Sequence, residues 1–329
     1  MYQVAVDAMG GDFAPQAVVH GVIEALNAWK DLHVFLVGVP EQIRPHLPRK
    51  MPSNLSLVPA SQIIGMNDPP IEALRTKTDS SIRRAFELLR QGQVQAVVSA
   101  GNSGAVLAHA LFLLGRLSGV SRPAIATVLP TIKHHAVLID SGANVDCKPQ
   151  HLVQFATMGA VFSEQVLGFK HPRVGLLSIG EEGGKGNTLV KRTHKLLSEG
   201  PLNYVGNIEG RDIYKGEVEV IVCDGFVGNV CLKLSEGLAE ALMSMLAQEV
   251  LSQRLAKLGF MLAQRALRKF KQRIDWRERG GAPLLGIEGV VIISHGRSDA
   301  RAIKNALGTA KEFIKLDLVN KLKEALQDT

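Results

Sequence analysis

Two stretches of this 329-residue chain combine residue types that handle negative charge. The first is Gly180-Glu-Glu-Gly-Gly-Lys-Gly-Asn187, a lysine in a glycine-rich turn where an ammonium and backbone N–H groups can meet an anion. The second is Val220–Lys233. It reads as a buried strand to Cys223, a turn through Asp224, Gly225, Phe226, Val227 and Gly228, and a helix with Asn229 as its N-cap. Strand, acid, glycine-rich bend and helix start in succession gather N–H donors around one spot. Lys185 is thus the candidate to hold an anion or a developing negative charge, and the Asn229 amide a candidate donor to one. A solvated loop lysine and a plain helix cap explain the same two residues from position alone.

The same unit recurs along the chain. Val4–Asp7 runs into Gly10-Gly11-Asp12 and a helix from Pro15 to Trp29, and Val94–Ser99 into Gly101-Asn-Ser-Gly104 and an apolar helix to Leu117. Ala136–Asp140 leads to Asn144 and Asp146, Val174–Ile179 to the lysine turn, and Val290–Ser294 to His295-Gly296 and a C-terminal helix. After Asn229, Cys231, Leu234, Leu238, Leu242 and Met245 follow helical spacing and define one apolar face. Such alternation predicts an α/β unit over residues 1–329 with a mainly parallel sheet and helices on both faces. Ligands in such sheets sit beyond the carboxyl ends of the strands. Those ends carry Asp7, Asn102, Asp140, Asn144, Lys185, Asp224 and Asn229, which are expected to converge on one rim. Ser103, Gly104, Gly225 and Gly228 would add backbone donors there.

Composition excludes several classes. Three cysteines without C-x-x-C spacing argue against a disulfide framework and against a structural zinc site. The first residues lack a basic, apolar export signal, and no uncharged apolar run reaches the roughly 18 residues of a membrane span, so the cytoplasm is the expected compartment. Cys223 and Cys231 read as small core residues, and His295, following a buried strand, as a core histidine. Glu181 and Glu182 are adjacent and therefore point apart, which speaks against a general acid/base pair.

Six stretches together closely resemble the bacterial phosphate acyltransferases of phospholipid synthesis. They are Val6-Asp-Ala-Met-Gly-Gly-Asp12, Ser99-Ala-Gly-Asn-Ser-Gly104, Gly142-Ala-Asn-Val-Asp-Cys147, Gly180–Asn187, Val222–Asn229 and Gly280-Gly-Ala-Pro-Leu-Leu-Gly286. The pieces keep their order across almost the whole chain. Ser103 stands where the family pattern has a threonine and retains the hydroxyl. The resemblance implies an isocitrate/isopropylmalate-dehydrogenase-like fold, also used by phosphotransacetylases, and transfer of an acyl group from acyl-(acyl carrier protein) to inorganic phosphate without metal or cofactor. It implies a homodimer with peripheral membrane attachment, and it supports catalytic roles for Lys185 and Asn229, with Asn187 and the other strand-end residues around the substrate. Phosphate is itself the nucleophile in this chemistry, so no covalent enzyme nucleophile is required.

The charge distribution adds a second surface. The formal net charge is +7, and residues 250–274 carry seven basic side chains and no acid, which accounts for all of it. Leu251, Leu255, Leu258 and Leu262 keep helical spacing, interrupted by Gly259, so a protruding basic helical hairpin is expected over 244–275. Arg254, Lys257, Phe260, Met261 and Arg265 would meet an anionic membrane surface or the acidic acyl carrier protein. A dimer-interface helix pair with a solvated charged face is the competing account. Few interleaved aromatics and no recognition motif argue against nucleic acid. Three rival functions remain. An acyl-CoA-dependent phosphotransacetylase differs in its thioester. A nicotinamide-dependent dehydrogenase lacks a complete G-x-G-x-x-G with a ribose-binding acid. A non-catalytic membrane adaptor would not need Lys185 or Asn229.

Overall fold

A computed structural model of the protein describes residues 1–252, 259–260, 262–267, 270 and 275–327. Its strands are β1 (Tyr2–Asp7), β2 (Leu32–Gly38), β3 (Leu55–Pro59), β4 (Ala96–Ser99), β5 (Ala124–Pro130), β6 (His135–Ile139), β7 (Val174–Ser178), β8 (Tyr204–Glu209), β9 (Val220–Val222), β10 (Ala282–Leu285) and β11 (Val290–Ile293). The helices that position the site are α1 (Gln16–Ala28), α2 (Pro40–Ile43), α3 (Pro70–Thr76), α4 (Ser81–Arg90), α5 (Ser103–His109, prolonged by a π turn to Leu114), α6 (Pro149–Leu167), α7 (Thr188–Ser198), α8 (Gly225–Ser252), α9 (Ala300–Lys315) and α10 (Leu318–Gln327).

The strands join one sheet in the order β3-β2-β1-β4-β11-β10-β5-β6-β9-β7-β8. Every residue of β4, β9 and β11 is buried. Their short Val/Ile/Ala runs suit strands covered on both faces, each fully buried Val or Ile contributing roughly 1.5–3 kcal/mol. Pairing is parallel from β3 through β11 and again from β6 through β8. Between the two blocks, β10 pairs antiparallel with both β11 and β5, and β5 antiparallel with β6. The two parallel blocks therefore run in opposite nominal senses. Helix α8 joins the two blocks: it starts beyond β9, yet its Lys233 Nζ lies 3.1 Å from His295 Nε2 and its Glu240 3.5 Å from Arg297, the histidine and the arginine both lying in the loop beyond β11.

One face of the sheet carries a continuous apolar layer, filled from α1, α6, α9 and α10 by residues such as Leu26, Phe155, Phe162 and Phe313. The opposite face is divided into two smaller clusters. One holds Phe86 and Val106 from α4 and α5 against β4 and β11. The other holds Leu138, Leu177 and Ile221, with Val227, Cys231 and Leu232 of α8 against it.

The expected α/β class and alternation hold. Three strands were not expected: β5, β8 and β10. Each carries local signals against a strand, Pro130 at the end of β5, Gly206 and Asn207 inside β8, and Pro283 within β10. The apolar face of α8 departs from the sequence expectation more sharply. Cys231 is half-buried, but Leu234 (70%), Leu238 (56%), Leu242 (56%) and Met245 (60%) are exposed, and they continue a stripe begun by Phe226 and Val230. The first arm of the expected hairpin is the end of α8, which runs unbroken to Ser252. Arg254, Lys257 and Met261 lie outside the described residues, whereas Phe260 is half-buried and Arg265 exposed.

Candidate functional site

The strand-end residues fall into two groups rather than one rim. Asp7, Asn102 and His295 follow β1, β4 and β11, three adjacent parallel strands. Asp140, Lys185 and Asp224 follow β6, β7 and β9, again adjacent and parallel.

In the first group nearly every polar atom is used internally. Asp7 is buried and accepts from the Ser99 hydroxyl at 2.7 Å and the Met9 N–H at 3.1 Å. Burial raises its pKa, and hydrogen bonds from Ser81, Ser99, Met9 and Gly10 work against that rise. The Gly101 N–H donates to the same Ser99 hydroxyl, and a Cβ on Gly10 would stand 2.5 Å from an Asp7 oxygen, so the turn closes over the acid. Asn102 caps α5, accepting from Ala105 N–H at 3.1 Å, while its amide nitrogen donates to the Met66 and Asp68 carbonyls at 3.0 Å. Ser103 is exposed at the first turn of α5, and Gly104 packs against Pro70. His295 is not a core histidine. It is half-buried in the loop beyond β11, beside Lys233 and Glu236 of α8, and burial together with Lys233 lowers its pKa.

The second group is built on Asp140. Its side chain is fully buried and accepts five N–H groups: Ile125 (2.9 Å), Gly142 (3.2 Å), Ala143 (3.0 Å), and the backbone (2.7 Å) and amide (2.9 Å) of Asn144. Burial pushes the Asp140 pKa up and these donors oppose it. A ring of donors without an acceptor suits a carboxylate. Asn144 gives its remaining amide hydrogen to the Pro123 carbonyl at 2.7 Å, so Asp140 and Asn144 form the floor of the turn.

Helix α8 packs directly on this floor. Gly225 N–H donates to the Asn144 carbonyl at 2.7 Å, and a Cβ on Gly228 would fall 1.9 Å from the Asp140 carbonyl oxygen. No side chain fits at Gly228. Asp224 is the residue that caps α8, accepting from the Val227 N–H at 2.9 Å. Asn229 is therefore not the N-cap expected from the sequence, since the helix begins four residues earlier at Gly225. Asp224 and Asn229 are both good capping residues, and the two glycines between them give the first turn of the helix the local signature of a loop. Asn229 instead projects from the second turn of α8, exposed, with its side chain over Gly142, and its amide has no hydrogen-bond partner among the described residues.

Lys185 occupies the loop between β7 and α7. Its N–H donates to the Glu182 carbonyl at 2.9 Å and its aliphatic stem folds against Gly180, where a Cβ would lie 2.9 Å from Lys185 Cγ. The Lys185 ammonium has no ion pair or hydrogen bond among the described residues. Asn187 caps α7, accepting from the Val190 N–H at 2.9 Å. Glu181 faces Arg211 at 3.5 Å and Glu182 is exposed, so the two acids do not form a pair.

Cys147 lies beside the floor. Burial, then the charges of Asp140 and Asp224, push its thiol up to about 12, and burial likewise raises Cys223 and Cys231. None of these is a thiolate near neutral pH, so they are poor nucleophiles. Among the described residues no three His, Cys, Asp or Glu side chains are grouped to hold a metal ion, and no helix is long and apolar enough to cross a membrane.

Known proteins resemble this one in fold and, separately, in sequence. The branched-chain phosphotransacylase of Enterococcus faecalis has a similar fold, with a TM-score of 0.60 at 15% identity over 95% of this chain and 99% of its own. The 4-hydroxythreonine-4-phosphate dehydrogenase of Klebsiella pneumoniae shares the architecture at a TM-score of 0.50, with 14% identity and coverage of 95% and 99%. In sequence, a protein of Syntrophotalea carbinolica named phosphate acyltransferase is 54% identical over 313 residues, spanning 94% of this chain and 90% of its own length. The family model described as "Fatty acid synthesis protein" matches residues 2–321. The chain belongs to that fatty acid synthesis protein family.

Proposed function

We propose that the protein is a phosphate acyltransferase that moves a fatty acyl group from acyl-(acyl carrier protein) to inorganic phosphate, releasing acyl phosphate. The observation that carries this reading is a contrast within one group of loops. Asp140, Asn144 and Asp224 are spent on the scaffold, while Lys185 and Asn229, at the ends of neighbouring strands, present an ammonium and an amide without partners among the described residues. A phosphate dianion attacking a thioester needs both a cation for the nucleophile and a donor for the carbonyl oxygen as it becomes an oxyanion. Lys185 supplies the first and Asn229 the second; a preorganised donor of this kind is worth roughly 3–4 kcal/mol in the transition state. The phosphate oxygen forms the new bond to the acyl carbon, the tetrahedral intermediate collapses, and the thiolate of the carrier leaves and takes a proton. High thiol pKa values at Cys147, Cys223 and Cys231 favour direct attack over an acyl-cysteine intermediate.

The exposed stripe of α8 supports a homodimer, since a run of large apolar side chains along one helix face is a surface that a second copy can cover. Charge supports the remaining partners: the +7 segment at 250–274, with Leu262 (83%) and Phe270 (52%) exposed within it, suits an anionic membrane surface and the acidic carrier protein. The enzyme would then work at the membrane from the cytoplasmic side.

Incubating the purified protein with acyl-(acyl carrier protein) and phosphate, and trapping acyl phosphate with hydroxylamine, tests the activity. Absence of the hydroxamate under conditions where an authentic phosphate acyltransferase forms it would sink the assignment. The fold shared with phosphotransacylases favours one second reading, an acyl-CoA donor. A higher rate with acyl-CoA than with the carrier thioester would select it.

A further inference from the structure

We infer that Asn207, held in turn by Tyr204 and His194, positions the backbone of Lys185 for its contact with phosphate, an inference that rests on the role proposed above for Lys185. The Glu182 carbonyl accepts two N–H groups, from Lys185 itself at 2.9 Å and from the Asn207 amide at 3.1 Å. Asn207 is buried on β8, whereas Lys185 is exposed in a loop with glycines at 180, 183, 184 and 186. A loop of that composition has many backbone states open to it. The buried amide ties the carbonyl at its centre to a rigid strand.

The orientation of Asn207 is set by the Glu182 carbonyl, which only accepts and so must face the NH2, leaving Oδ1 for Tyr204. Its Oδ1 has no hydrogen, so in the 3.4 Å contact with Tyr204 Oη the phenol must donate. The lone pair of that phenol then accepts from His194 Nδ1 at 2.8 Å, which requires a proton on His194 Nδ1. With Oδ1 turned to Tyr204, the NH2 of Asn207 points at Glu182. The other edge of the His194 ring supports the loop directly, since a Cβ on Gly183 would stand 2.6 Å from His194 Nε2. A buried strand residue, a phenol and an imidazole thus hold the loop from beneath. The Arg211–Glu181 pair on its outer side is exposed at both ends and worth little in water. Nothing in the sequence singles out Asn207, because it lies in a strand masked by Gly206.

The test is the phosphate dependence of turnover by Asn207→Ala and Asn207→Asp, with Lys185→Ala measured alongside. Both Asn207 variants are expected to lower kcat/KM for phosphate about 100-fold, the scale of an ångström-level misplacement of a binding group, while KM for acyl-(acyl carrier protein) stays unchanged. Asn207→Asp is the same size but turns an acceptor toward the Glu182 carbonyl, so near-native phosphate kinetics in that variant would reduce Asn207 to a space-filler and overturn the inference. Equal losses toward both substrates would overturn it as well. Tyr204→Phe keeps the ring and removes only the hydroxyl; a several-fold rise in KM for phosphate is expected. If the Asn207 variants do not fold, a native phosphate KM in Tyr204→Phe overturns the proposal. Native activity in Lys185→Ala withdraws the catalytic role of the lysine itself, whereas an inactive Lys185→Ala beside normal Asn207 variants withdraws only the positioning role.

Discussion

The two sets of strand-end loops use the same kinds of residue to opposite ends. Beyond β1 and β4, an aspartate, a serine and an asparagine are consumed by one another and by nearby backbone: Asp7 takes Ser99, and Asn102 caps α5 while tying down Met66 and Asp68. Beyond β6, β9 and β7, an equally satisfied floor of Asp140, Asn144 and Asp224 carries two groups, Lys185 and Asn229, that have no partner among the described residues. Polar residues at strand ends are therefore poor evidence of chemistry until their hydrogen bonds have been traced. Those with partners mark scaffold; those without mark where a ligand can supply what is missing.

Mutations break this contrast if it is wrong. The largest effect is expected at the unpaired groups: Lys185→Ala and Asn229→Ala should each lower kcat about 10²–10³-fold with an unchanged melting temperature, read by acyl phosphate formation beside thermal unfolding. A stability loss with little change in rate would move either residue to the scaffold. The next tests the same half of the sheet at its far end. Glu219 is buried and accepts three hydrogen bonds from Arg173, from the backbone at 2.7 Å and the guanidinium at 2.6 and 3.1 Å. Burial alone would raise its pKa, but Arg173 and His134 bring it below the ordinary glutamate value of 4.5. A depressed folded-state pKa gives stability that is present above the unfolded value and lost as pH falls through the folded one. Arg173→Ala should cost about 1–2 kcal/mol at pH 7, discounted for the half-exposed arginine, and should flatten the loss of stability below pH 4.5 without altering kcat. The smallest effect is expected at Asn102→Ala, about 1 kcal/mol of stability as for a lost cap, with a rate change far below that at Asn229. A hundredfold rate loss there would restore Asn102 to the substrate site and erase the contrast.

The units that alternate apolar runs with glycine-rich bends, β1, β4, β6, β7, β9 and β11, were readable because hydrophobic periodicity and turn residues are local signals. The strands that were not readable, β5, β8 and β10, hold their places through neighbours: Gly206 or Pro283 is tolerated where the rest of the sheet fixes the register. The site followed the same division. Lys185 and Asn229 stood out by their glycine-rich setting, but whether a polar atom is spent or free depends on partners far away in sequence, as with Asn102 and Met66 or Asp140 and Ile125. That the helix starts at Gly225 instead of at the expected Asn229 cap likewise depends on Gly228, whose place against Asp140 only the tertiary structure reveals.

Helix α8 begins on the candidate catalytic floor and leaves its apolar stripe, from Phe226 to Leu246, facing outward. If a second copy covers that stripe, folding and association become one equilibrium, and mass action enters. The melting temperature would then rise with protein concentration. Dilution would loosen the same helix that carries Asn229, so specific activity at low enzyme concentration would fall faster than the amount of protein.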